Sequence, residues 1–257
     1  IRLPKTRNCL LLDGCRFSAE SLVNILSTVR NVTFPFSLSL SQMMIDDSEL
    51  NQFYSMVSKL ASFENLIELN FSNNQIPAKF VNEFCRLFIT SNLRFLSLNN
   101  VFGPDQIDDL ITILTACENH CHLWGLELMG GKIKTTLGPK LKNLFSIISR
   151  LEQLELLNIS SQRFTSLIFN DLLNFIDSLN NLQYISIDDT GITNLWDFYK
   201  LYQHLFIKTR CFAIQKPYSD LNRLILSDTF EKEINGNDFL EFKNKIIQCM
   251  VPPTTFI

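Results

Sequence analysis

Pairs of apolar residues two positions apart, each followed by a polar turn and then an amphipathic stretch, recur along the whole chain. The clearest copy is Leu66-Ile-Glu-Leu-Asn-Phe-Ser-Asn-Asn-Gln-Ile76. Side chains two apart on a strand share a face, so Leu69 and Phe71 point inward while Glu68, Asn70 and Ser72 point out. Asn74 falls where the chain must turn, and its amide can satisfy backbone groups of a neighbouring copy. Aligning on the position of Leu69 gives Leu10, Leu38, Leu96, Leu126, Leu157, Ile185 and Leu224, with successive spacings of 28, 31, 27, 30, 31, 28 and 39. A second apolar residue follows two positions on in every copy: Leu12, Leu40, Phe71, Leu98, Leu128, Ile159, Ile187 and Leu226.

Between these strands the apolar spacing changes from two to about 3.6, the period of a helix with one buried side. Leu22, Val23, Ile25, Leu26 and Val29 form such a stripe behind Ser18, a residue suited to cap the helix start. Phe80, Val81, Phe84, Leu87 and Phe88 form another, and Leu141, Leu144, Phe145 and Ile148 a third. Ile107, Leu110, Ile111 and Leu114 precede that one, and Leu172, Leu173, Ile176 and Leu179 follow it. After the seventh strand an aromatic helix runs from about Asn194, and a locally basic stretch, Lys208 to Tyr218, fills extra length before the eighth. That stretch reads as a surface insertion loop. A final helix from Asp238, halted by Pro252 and Pro253, reads as a C-terminal cap.

The pattern L-x-x-L-x-F-x-x-N-x-I, repeated in this way, resembles the leucine-rich repeat, and the helices in the spacers resemble its ribonuclease-inhibitor-like subclass. The resemblance covers the chain from about Cys9 to Met250 and implies an α/β solenoid, a horseshoe with parallel strands on the concave face and helices on the convex face. It implies one domain over residues 1–257, about eight repeats with a C-terminal helical cap; the start at Ile1 without a Met gives the expectation of a fragment of a longer chain. The turn position departs from the family: it reads Cys15, Met43, Asn74, Val101, Gly131, Gln162, Thr190 and Thr229, so the asparagine ladder is degraded and other groups must satisfy the turns.

Composition narrows the function. A net charge of −3 without a basic block gives no footprint for nucleic acid. No apolar run is long enough to cross a bilayer. Seven cysteines without framework spacing read as reduced thiols, hence a cytoplasmic protein. Cys117-Glu-Asn-His-Cys-His122 contains four soft ligands but lacks a second pair at zinc-finger spacing, so it reads as a helix end. G-x-S-x-G, H-E-x-x-H and a phosphate-binding Gly-rich loop are all missing from the sequence. The expectation is a protein that is not an enzyme and takes no cofactor, metal or small-molecule substrate.

What remains is the row of outward residues on the strands. Phe95, Met129, Leu156 and Tyr184 are large residues among small polar ones, and Glu68, Glu127 and Asp188 supply negative charge. Together with Arg223 on the eighth strand and Lys216 in the insertion, they are the candidate contacts for a protein partner. The reading is therefore a scaffold or adaptor that binds through the concave sheet face and the C-terminal loop. Regulators of the CARMIL and tropomodulin kinds, and the RanGAP family of GTPase activators, use similar helix-bearing repeats and define the alternatives by analogy of fold.

Overall fold

A computed structural model describes residues 8–29, 32–43, 51, 64–103, 105–120, 122–130, 138–161, 169–187, 200–201, 204 and 211–213. The chain divides into two compact units, Ile1–Phe212 and Ala213–Ile257, and the elements below belong to the first except at Ala213. Strands β1 (Cys9–Leu11), β2 (Phe36–Ser39), β3 (Leu66–Asn70), β4 (Phe95–Ser97), β5 (Gly125–Glu127), β6 (Leu156–Asn158), β7 (Tyr184–Ser186) and β8 (Cys211–Ala213) lie side by side in chain order in one sheet. The first seven pair in parallel, and the register matches the spacing in the sequence: Leu10, Leu38, Leu69, Leu96, Leu126, Leu157 and Ile185 stand opposite one another.

Helices α1 (Ala19–Val29), α2 (Val81–Thr90), α3 (Ile107–His120), α4 (Gly138–Ser149) and α5 (Phe169–Ser178) occupy spacers between strands. Crossovers between adjacent parallel strands share one hand, which brings successive helices to one face of the sheet. There α2 packs on α3, α3 on α4 and α4 on α5. The arrangement is compatible with a repeat solenoid. Ser18 caps α1 as its position requires, its Oγ accepting a hydrogen bond from the Ser21 amide at 3.2 Å.

The core lies between the inward strand residues and the helix stripes. Leu38, Leu69, Leu96, Leu126, Leu157 and Ile185 are each at most 1% exposed. Phe71, just past β3, meets Phe84 of α2 at 5.1 Å between ring centroids, and Phe145 of α4 stacks on Phe175 of α5 at 4.4 Å. In α3 the buried side includes Ile113 and Cys117, whereas Ile111 is only half-buried. Adjacent helices are also tied at the surface. Arg150 pairs with Glu118 through both guanidinium and carboxylate edges, and Lys142 reaches Asp171 at 3.2 Å.

Past each of β1 to β6 the chain turns at one recurring place. Gly14, Gln42, Asn73, Asn100, Gly130 and Ser161 all have positive φ, between 55° and 69°, and each lies four residues after its inward Leu. Asn74 does what its place in the motif implies. Its Oδ1 accepts from the Met43 amide at 2.8 Å, and its Nδ2 donates to the carbonyls of Leu40, Phe71 and Ser72. At the other edge of the sheet, Asn65, Asn92 and Asn181 each donate to a carbonyl of the preceding unit, those of Val32, Glu64 and Glu152.

The segment read as an insertion loop is different. It contains β8, and Phe212 lies 27 residues after Ile185, in step with the earlier spacings. Thr209 stands where the leading Leu would be, which hid this strand from the motif. The strand expected around Leu224, the aromatic helix except for Lys200, Leu201 and His204, and the C-terminal helix lie outside the described residues.

The turn geometry makes a prediction. A Cβ on Gly130 would collide with Asn100 Oδ1, whereas a Cβ on Gly14 meets nothing within 4 Å. Gly14→Ala should cost about 1–2 kcal/mol, the expense of a left-handed backbone with a side chain. Gly130→Ala should cost more, and the extra cost should disappear in an Asn100→Gly background, where the obstructing side chain is gone and the left-handed backbone is unstrained, measured by urea denaturation. Equal costs at the two glycines would contradict the packing described here.

Candidate functional site

Because the strands pair in register, the outward residues form rows across the sheet, with neighbours roughly 4.8 Å apart. The first row runs Cys9, Ser37, Glu68, Phe95, Gly125, Leu156 and Tyr184. The second runs Leu11, Ser39, Asn70, Ser97, Glu127, Asn158 and Ser186. A third follows at the strand ends.

Much of this face is bonded to itself. Ser39 Oγ donates to Asp13 Oδ1 at 2.5 Å and accepts from Asn70 Nδ2 at 2.9 Å. Ser97 Oγ donates to Glu127 Oε2 at 2.8 Å, and Asn99 Nδ2 donates to the same oxygen at 2.9 Å. The hydroxyls of Ser72 and Ser97, and those of Ser160 and Ser186, lie 2.8 Å apart.

These bonds bear on two of the candidate acids. Glu68 is not an open contact residue: it is 4% exposed and accepts a hydrogen bond from Ser37 Oγ at 2.5 Å. A buried carboxylate is tolerable only when donors surround it, so its task is to hold β2 to β3. Glu127 does face outward, half-buried, but its bonds to Ser97 and Asn99 give it a part in the sheet.

The third row explains how strand ends without a regular asparagine ladder are satisfied. The amides of Ser41, Ser72, Asn99, Met129 and Ser160 each find a side-chain acceptor: Asp13, Asn70, Ser72, Asn99 and Asn158 respectively. Some acceptors come from the previous unit and some from the same one. No single sequence position carries the task, which is why pattern reading did not find it.

Phe95 is the other correction. It is 1% exposed, its ring lying over Gly125 of the next strand, where an added Cβ would be 2.8 Å from Phe95 Cε2. It packs against Trp124 at 5.4 Å between centroids. Phe95 is therefore the buried member of an aromatic pair whose half-buried member is Trp124, a residue the motif did not single out. Leu156 of β6 and Tyr184 of β7 are half-buried, as is Trp124 immediately before β5; Met129 is half-buried in the third row. Exposed Arg94 and Glu155 lie on either side of Trp124, linked to it through the backbone: the Trp124 amide donates to the Arg94 carbonyl and the Glu155 amide to the Trp124 carbonyl, both at 2.8 Å. Candidates Asp188, Lys216 and Arg223 lie outside the described residues.

Of the cysteine and histidine cluster, Cys121 lies outside the described residues. Cys117 is fully buried on α3, while His120 and His122 are exposed. Among the described residues no three His, Cys, Asp or Glu side chains gather as a metal site, and no helix is long and apolar enough to cross a membrane. Cys9, Cys15 and Cys85 are free thiols. Burial raises the Cys9 thiol above its ordinary value, with further pressure from Glu68 and Asp13. Burial alone pushes Cys85 up to about 11.

Cys85 supplies a test of this packing. In the unfolded chain its thiol ionises near the usual value of 9.0, so its stabilising contribution is complete below that pH and is lost as pH rises through about 11. At pH 8.5 iodoacetamide should alkylate Cys85 at least about ten-fold more slowly than the same residue in a denatured chain, read by peptide mass mapping. Equal rates would contradict its burial.

The chain matches no protein-family model and no curated protein. The functional reading rests on the geometry of the sheet.

Proposed function

We propose that this chain is a leucine-rich repeat module of the helix-bearing kind, a non-catalytic scaffold or adaptor of the cytoplasm that binds a protein through the outward, concave face of its strands. The left-handed turn at six equivalent positions supports the repeat assignment, as does the bonding of Asn74. The observation that carries the functional reading is the patch of Trp124, Leu156 and Tyr184. Leu156 on β6 and Tyr184 on β7 stay half-open there, with half-buried Trp124 just before β5, beside a face whose serines, asparagines and acids are largely bonded to one another. Large aromatic residues surrounded by small polar ones concentrate binding energy, and a rigid sheet loses little freedom when a partner docks.

The test is capture from an extract of the native cell, with the proteins retained by the unaltered chain and by Tyr184→Ala compared by quantitative mass spectrometry. Tyr184→Ala should change stability by no more than about 1 kcal/mol. At least one protein should be depleted about ten-fold, the expected effect of losing a binding hot spot. An unchanged set of captured proteins would show that this part of the face is scaffold only.

A further inference from the structure

The charges beside the aromatic patch specify the chemistry of its partner. Arg94, Trp124 and Glu155 occupy one position in three successive units and are joined by the backbone bonds from Trp124 to Arg94 and from Glu155 to Trp124. Both charged side chains are exposed, and neither enters an ion pair among the described residues. The helical side of the molecule is organised differently: Lys140, Lys142 and Arg150 are each matched there with an acid on the neighbouring helix. A cation and an anion thus bracket Trp124 two strands apart, roughly 10 Å at the usual strand spacing. That is about the span of three extended residues.

We infer that the patch takes an extended segment of a partner protein that crosses the strands. An aromatic or aliphatic side chain of the segment rests on Trp124, Leu156 and Tyr184. An acidic residue on one flank meets Arg94, and a basic residue on the other meets Glu155. Phe95, pressed over Gly125, packs against Trp124 at 5.4 Å between ring centroids and so limits where the Trp124 ring can sit. Opposite charges at the two ends give the segment a direction, because the reversed placement sets like charges together. This inference rests on the proposed binding face and adds the character of its ligand.

An array of synthetic nine-residue peptides tests it. Each has a central Leu, Phe or Trp, with Asp, Lys or Ala placed on either flank in all combinations. The unaltered chain should retain peptides with one acidic and one basic flank at least about ten-fold better than those with two Ala flanks. Arg94→Glu should shift the preference to two basic flanks, and Glu155→Arg to two acidic flanks. Both substitutions are on exposed side chains, so they keep the test meaningful even if Trp124→Ala disturbs the packing with Phe95. Retention that ignores the flanks, or that is unaltered by both charge reversals, overturns the inference while leaving the binding face standing. Retention of no peptide overturns it too, since a linear segment is then not the ligand. Loss of cellular capture with Tyr184→Ala would still separate that failure from failure of the face itself.

Discussion

The described strands are only three to five residues long, and each one inside the sheet must share its backbone hydrogen bonds with both neighbours before the chain turns away. Buried amides and carbonyls cannot be left unpaired, so the place of the turn is constrained in every unit. The left-handed residue four positions after the inward Leu meets that constraint. It lets the ladder continue beyond the strand, with Leu12, Leu40, Leu98 and Leu128 donating to the next unit and Gly14, Gln42, Asn100 and Gly130 doing so again two residues later. The amides that point backward are taken up by side chains. Core, helices and outward rows all inherit their positions from this arrangement.

The consequence for function is that the two halves of the outward face differ in kind. Around β1 to β3 the hydroxyls and carboxylates are committed to one another, Ser37 with Glu68 and Ser39 with Asp13. At β6 and β7 the large side chains Leu156 and Tyr184 take first-row positions, and the missing side chain of Gly125 makes room for the Phe95 ring, which packs against Trp124. A single missing side chain therefore shapes the patch on which the proposed binding depends. The local contrast between bonded polar groups and half-open aromatic ones makes this region distinct from the rest of the sheet.

The strand register was legible because it repeats: every inward Leu from Leu10 to Leu157, and Ile185, stands where spacing puts it. Helix stripes were legible for the same reason, and Asn74 was legible from its place in one intact motif. Alternation along a strand tells which face a residue takes, but not what its neighbour some thirty residues away will do. It thus gave no sign that Ser37 would bury Glu68 or that Gly125 would accept Phe95. The left-handed turn was hidden by residue type, since Gly, Gln, Asn and Ser all fill it. The eighth strand was hidden because Cys211-Phe-Ala213 has no leading Leu, although Phe212 and Ile214 keep the two-residue spacing.

The claim on which the rest depends is that side chains of the outward rows satisfy the backward amides and so hold the strand ends in place. Hydrogen exchange read at single amides tests it at Met129, whose N–H donates to Asn99 Oδ1 at 2.7 Å. In the unaltered chain that amide should be protected alongside Leu128, which donates to the Asn158 carbonyl. In Asn99→Ala the Met129 amide should exchange much faster while Leu128 stays protected. Exchange of Met129 at the rate of an open chain in the unaltered protein, or protection indifferent to Asn99→Ala, would contradict the account.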